Sequence, residues 1–226
     1  MKDKIKTALQ KLADHRAPAF LCSELGDKDN KQQLLVELVH SFEPPASTEA
    51  LSVISELENG SAEQLEQLYT FANGAALFTA VEPTLVQTSG GPLAHHESGL
   101  YIRAIEELED WNLLIEEAWP DCFENCLNDP LICPDDALVI ADVPGSANHL
   151  VLPLSGPNDG KVIYMQHDGC EHKPIADSIE SFIEDLTRDP IALLNEKLGS
   201  YWCICDEENE KQWHPRNYLP DCTNEK

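Results

Sequence analysis

Apolar positions change their spacing several times along the chain, and each change marks an expected element. Ile5, Leu9 and Leu12, four and three residues apart, share one face of a helix running from about Lys2 to Asp14, and Pro18 bars its continuation. Ala19 to Cys22 reads as a short strand or a connector. Leu34, Leu35, Leu38, Val39 and Phe42 predict a second amphipathic helix, stopped by Pro44 and Pro45. Ser47 or Thr48 caps a third, which carries Leu51, Ile54 and Leu57 and ends at Asn59 and Gly60. Ser61 opens a fourth, with Gln64 placed as in a capping box and Leu65, Leu68, Tyr69 and Ala72 as its buried stripe, and Asn73-Gly74 closes it.

Beyond Gly74 the pattern becomes that of strands. They are expected over Ala75 to Val81, Thr84 to Thr88 and Gly99 to Ile105, interrupted by the Ser89-Gly90-Gly91-Pro92 loop. A helix is predicted from Glu106 through Trp119, with Leu108, Trp111, Leu114 and Ile115 on its apolar face and acidic residues in its first turns, complementing the positive helix end. Ala137 to Ala141, Leu150 to Leu154 and Lys161 to Gln166 are three short strands joined by turn-rich linkers, which implies an antiparallel meander. Ile175, Ile179, Phe182, Ile183 and Leu186 give a last long helix, and Leu193, Leu194 and Leu198 a shorter one. Tyr201 to Cys205 forms a final strand, and a polar tail follows from Asp206.

Charge changes this picture from a generic fold to a polarised surface. The chain has 41 acidic and 15 basic residues, a formal net charge of −26. From Gln32 to Gly160 there are 22 acidic residues and a single basic one, Arg103. An ordinary solvated surface interleaves both signs, because a field of one sign repels itself. Such a block disfavours direct contact with nucleic acid or an anionic membrane and favours a cationic partner. The first residues lack the apolar core of an export signal and no stretch is long enough for a membrane helix, so a cytoplasmic location is expected. Eight cysteines are then read as reduced thiols.

The ordered set of pieces is similar to a known superfamily. A helix ending Phe71-Ala72-Asn73-Gly74 before a strand is followed by Ile105-Glu106-Glu107-Leu108 and by Ala137 to Asp142. Leu152-Pro153-Leu154-Ser155-Gly156, Val162 to Gly169 and Ile175 to Leu186 come next. Together they resemble the SUKH superfamily of Smi/Knr cell-wall regulators and bacterial immunity proteins. The Leu-Pro pair usual before the first family helix is replaced by Glu58-Asn59-Gly60-Ser61. The resemblance implies an α+β fold, a twisted and mostly antiparallel sheet flanked by helices; the helical first sixty residues lie outside it as an extra N-terminal segment. The expected division is a helical extension over residues 1–60, a SUKH-like domain over 61–199, and a short strand with an acidic tail over 200–226. It also implies a non-catalytic binding role, often the neutralisation of a cognate basic toxin of the nuclease or deaminase class. With the charge pattern, the expected partner-binding residues are Glu106, Glu107, Glu109, Asp110, Glu116, Glu117 and Trp111. At an apolar position with Leu108, Leu114 and Ile115, Trp111 fits the helix's buried face better than a contact surface.

Catalytic and metal-binding arrangements have weaker support in the spacing. Cys203, Cys205, His214 and Cys222 supply zinc-type ligands, but Cys-x-Cys is not the usual knuckle spacing. Cys122, Cys126 and Cys133 lack a fourth ligand. Cys170 lies beside His167 and His172, yet neighbours at a strand end point in different directions, and Asp168-Gly169 is a turn signal. His95-His96 sits in a glycine-rich loop. No phosphate loop, dinucleotide fingerprint or nucleophile elbow is present. No cofactor and no metal are therefore expected.

Overall fold

The computed structural model describes residues 4–24, 32–57, 60–81, 99–110, 113–114, 137–143, 148–166, 171–188, 193, 203–206 and 209–215. Helix α1 spans Lys4–Asp14 and buries Ile5, Ala8, Leu9 and Leu12, the stripe its spacing dictates. Strands β1 (Ala17–Glu24) and β2 (Gln32–Phe42) follow as an antiparallel pair. Helix α2 (Thr48–Ser55) begins where the Ser47 hydroxyl accepts the Ala50 N–H at 3.1 Å. Helix α3 (Gly60–Phe71) leads into β3 (Ala75–Val81). Next come β4 (Leu100–Ile102), a 3-10 turn over Ile105–Glu107, β5 (Glu109–Asp110) and the meander β6 (Ala137–Val143), β7 (Asn148–Pro153) and β8 (Val162–Gln166). Strand β9 (Glu171–Ala176), helix α4 (Ile179–Arg188), β10 (Cys203–Asp206) and β11 (Asn209–Pro215) complete the set.

All eleven strands among the described residues belong to one open antiparallel sheet, ordered β10-β11-β1-β2-β3-β4-β6-β7-β8-β9, with β5 paired to β6. The fold is thus α+β. One face of the sheet is covered by α1, α3 and α4. There Leu9, Leu12, Leu65, Tyr69, Ile179, Phe182 and Leu186 close on Leu77, Leu100, Ile102, Leu150, Leu152 and Val162 in a single apolar cluster. Val139, Val151 and Ile163 form a transverse row outside that cluster and are 0% exposed, so the β6–β8 part of the sheet is buried on both faces.

Polar contacts fix how the helices sit. Ser61, 0% exposed, places its hydroxyl 2.9 Å from the Asp159 carboxylate and 3.3 Å from the Pro153 carbonyl, which pins the start of α3 to the β7–β8 connection. Gln64 does not cap its own helix as expected; its side-chain carbonyl accepts the Ile179 N–H at 2.8 Å and so caps α4 from α3. Ser178 completes that cap by accepting the Ser181 N–H at 3.0 Å.

Four expectations need correcting. The run from Leu34 to Phe42 is not a helix but β2, an interior strand paired on both edges; its mixed apolar spacing satisfies either period. The helix after Ser47 ends at Ser55 with Glu56 as its C-terminal cap, and Gly60 opens α3 instead of closing α2. The helix from Glu106 is absent over Glu106–Asp110, which forms the 3-10 turn and β5. The polar tail contains β11, whose pairing with β1 and β10 outweighs its weak propensity. The residues expected to be helical up to Gly60 therefore hold two sheet strands as well as α1 and α2. The strand expected over Thr84 to Thr88 lies outside the described residues.

Leu9 is fully buried in the shared cluster. Leu9→Ala is therefore expected to cost about 3 kcal/mol in one cooperative denaturant transition. A loss under about 1 kcal/mol, or a separate early transition, would show that α1 is not part of this core.

Candidate functional site

Register places a row of side chains across the sheet face opposite the helices: Ser41, Ala76, Tyr101, Asp142, His149, Met165 and His172 pair in succession from β2 to β9. Alternation puts them on one side, because Leu100, Ile102, Ala141 and Leu150 point to the helix-side core. The row is polar at its centre, where Asp142, His149 and the adjoining Arg103 retain only 15%, 13% and 12% side-chain exposure.

Arg103 organises this centre. Its Nε donates to both Asp142 carboxylate oxygens at 3.1 and 3.0 Å, and Nη2 donates to Oδ1 at 2.9 Å. The remaining Nη1 donates to Glu109 Oε2 at 2.7 Å and to the Glu107 carbonyl at 3.0 Å. A guanidinium is suited to this because its donors are fixed in a planar fork. His149 Nδ1 lies 2.7 Å from Asp142 Oδ1 on the next strand.

Burial alone would raise the Asp142 carboxyl, but the hydrogen bonds and charges of His149 and Arg103 outweigh it and hold the group far below the usual carboxylate range. Burial likewise opposes the Arg103 charge, and Asp142 with Glu109 reverses that, raising its affinity for the proton. The only basic side chain between Gln32 and Gly160 is thus consumed within the fold.

The same contacts explain why Glu106 to Asp110 is not a helix. Arg103 draws in the Glu107 carbonyl and the Glu109 carboxylate, and β5 hydrogen-bonds to β6. The Glu107 carboxylate accepts from the Tyr101 hydroxyl at 2.8 Å and from the Ala104 N–H at 3.0 Å. Burial, then this bond and the Glu107 charge, push the Tyr101 phenol up to about 12. Asn73, at the end of α3, donates to Glu106 Oε2 at 2.8 Å and accepts the Ile105 N–H at 2.9 Å. The Asn73 bond lowers the Glu106 carboxyl. Gly74 beside it, at φ +106°, approaches Ile102 and Ala104 so closely that a Cβ would stand 3.2 Å from the Ile102 carbonyl oxygen.

Glu106, Glu107 and Glu109 are exposed and Asp110 is half-buried, so four of the expected partner-binding residues form an acidic ridge running into the strand beside β6. Asp110 Oδ1 accepts the Leu113 N–H at 3.1 Å, and Leu113 and Leu114 are helical, so helix is found only beyond Asp110. Trp111, Glu116 and Glu117 lie outside the described residues, as do Cys122, Cys126, Cys133, Cys170, Cys222, His95 and His96. Sequence reasoning missed Asp142 as the partner of Arg103, and with it His149, which bonds Asp142, and Tyr101, which bonds Glu107; the isolation of Arg103 in an acidic block was the signal that could have found Asp142.

Among the described residues no three His, Cys, Asp or Glu side chains are grouped to hold a metal ion. In the β10–β11 pair, Cys205 stands opposite Glu210, four residues from His214. Cys203, opposite Gln212, stands two residues from His214, and Cys222 lies outside the described residues. No described helix is long and apolar enough to cross a membrane.

Against known families, the SMI1 / KNR4 family (SUKH-1) matches residues 62–185, more than half of the chain. The chain belongs to this family. The SUKH family includes immunity proteins and Smi1/Knr4 regulators. The match starts within α3 and ends within α4, so it takes in the whole Arg103 centre and leaves α1, β1, β2 and α2 outside. No curated protein matches the chain.

Removing Arg103 would strip the largely buried Asp142 carboxylate of its three guanidinium contacts. Arg103→Ala is expected to cost about 3 kcal/mol or more, and a double-mutant cycle with Asp142→Asn should return a coupling above about 1 kcal/mol. Because the Asp142 carboxyl is depressed on folding, its contribution is present above the unfolded value of about 3.9 and is lost as pH falls below it. Additive effects in urea unfolding at pH 7 would contradict the assignment.

Proposed function

We propose that this protein is a non-catalytic, cytoplasmic binding domain of the immunity type, which neutralises a basic toxin of the nuclease or deaminase class through an acidic surface. The observation that carries the reading is charge. Between Gln32 and Gly160 there are 22 acidic residues, and the one basic side chain among them is bound to Asp142 and Glu109. The acidic groups outside that centre have no arginine or lysine from the same block to answer them.

Glu106, Glu107, Glu109 and Asp110 are the proposed contact residues on the described ridge, with Glu116, Glu117 and Trp111 following in sequence. Their backbone is held by Arg103 and Asn73, so the charges are presented in a fixed arrangement. A pre-organised acidic surface accelerates encounter with a cationic partner and repels nucleic acid from the groove it occupies. Family membership supports a binding role and the charge selects the sign of the partner.

The test is capture of partners from the native organism with this protein as bait, washed at low and at high salt. One basic protein retained near equimolar ratio and released by salt is expected. The absence of any stoichiometric cationic partner would overturn the reading.

A further inference from the structure

The pairing of β2 with β3 contains an irregularity at which a second polar assembly is built. Val39 stands opposite Thr79 and Ser41 opposite Ala76, so β3 carries one residue more than β2 and His40 faces Leu77 and Phe78. Phe78 has φ +58° and is 1% exposed. A bulky aromatic residue in the left-handed region is strained, so the surroundings must hold it there.

What holds it is an imidazole. The Phe78 N–H donates to His40 Nδ1 at 3.2 Å, and the two rings meet edge to face at 4.5 Å. A neutral histidine that accepts at Nδ1 carries its proton on Nε2. That nitrogen lies 3.4 Å from His15 Nδ1, just beyond the end of α1, and therefore donates to it. The result is a directed chain, Phe78 N–H to His40 to His15, running from the bulge to the end of the first helix.

We propose that Phe78, His40 and His15 form an acid-sensitive latch, which fastens the C-terminal end of α1 to the β2–β3 bulge while both imidazoles are neutral and opens when either gains a proton.

The direction of the chain cannot be reversed, because a backbone N–H only donates. A proton added at His40 Nδ1 sets two donors face to face across 3.2 Å, and one added at His15 Nδ1 does so across 3.4 Å. Among the described residues no carboxylate is paired with either imidazole. The end of α1 contributes His15 and Arg16, whose guanidinium donates to the Ala13 and His15 carbonyls. Nearby Asp14 is bonded to Gln10. From β3, Leu77, Phe78 and Thr79 bring no ionisable group, and β1 pairs with β2 only as far as Ala17 opposite Leu38.

Burial first, then the His15 and Arg16 charges, hold His40 down to about 3, and burial with Arg16 lowers His15. For a base depressed on folding, stability is complete above its unfolded value of about 6.5 and declines as pH falls below it. Because α1 and β2 lie outside residues 62–185 and Phe78 lies inside, the latch ties the N-terminal segment to the family domain.

His40→Asn places an amide oxygen where Nδ1 stood but cannot take up a proton. Urea unfolding of the wild type and this variant between pH 7.5 and 4.5 cancels the carboxylates common to both. The ratio of their unfolding constants is expected to rise in favour of wild-type unfolding below pH 6.5, towards about tenfold per pH unit. A ratio independent of pH would overturn the proposal. Imidazole nitrogen NMR on the wild type gives a second reading that needs no variant. His40 protonated on Nε2 at pH 7, with no titration near 6.5, supports the latch, and an Nδ1-protonated or normally titrating His40 overturns it.

Discussion

The grip of Arg103 on Asp142 is the constraint on which the functional half of the fold depends. Asp142 is the middle of a row crossing the sheet from β2 to β9, and its carboxylate is nearly closed off from solvent. Buried there alone, it would oppose folding; met by three guanidinium contacts and His149, it stays ionised. Arg103 can meet it only by standing directly after β4, and from there its last donor reaches Glu109 and the Glu107 carbonyl. One side chain thereby secures the sheet and sets the course of the acidic ridge. Asn73 and the close backbone approach at Gly74 fix the same ridge from α3.

Legibility in the sequence follows the environment of each element. Helices α1, α3 and α4 each bury one stripe against the sheet, so a period near 3.6 stands out at Ile5, Leu9 and Leu12 and again at Ile179, Phe182, Ile183 and Leu186. The β6–β8 meander was readable because turn residues separate its strands. Strand β2 was not, since Leu34, Leu35, Leu38, Val39 and Phe42 fit a helical stripe as well as an interior strand. Strand β9, with Lys173 and Pro174, has the polar and proline content tolerated at a sheet edge. The ridge was misjudged for another reason. Its acidic residues suit a helix start, and only the distant Asp142 and β6 show why they take a turn and a strand.

Charge and fold bear on function differently. The family assignment covers α3 to α4 and identifies a domain type that serves immunity proteins and regulators alike, so it does not choose a partner. The proposed choice of a cationic partner rests instead on the single-signed block between Gln32 and Gly160, whose one arginine is used internally. The histidine chain at the β2–β3 bulge belongs to another part of the molecule and governs how the N-terminal helix is held. Its action needs no partner.

The most direct measurement of the central claim is the association rate constant of the captured partner as ionic strength is raised, compared between wild type and a variant reversed at Glu106 and Asp110. Electrostatic steering by the ridge predicts a steep fall with salt for the wild type, and a rate at least about tenfold lower and nearly independent of salt for the variant. Equal rates and equal salt dependence in the two proteins would contradict the account.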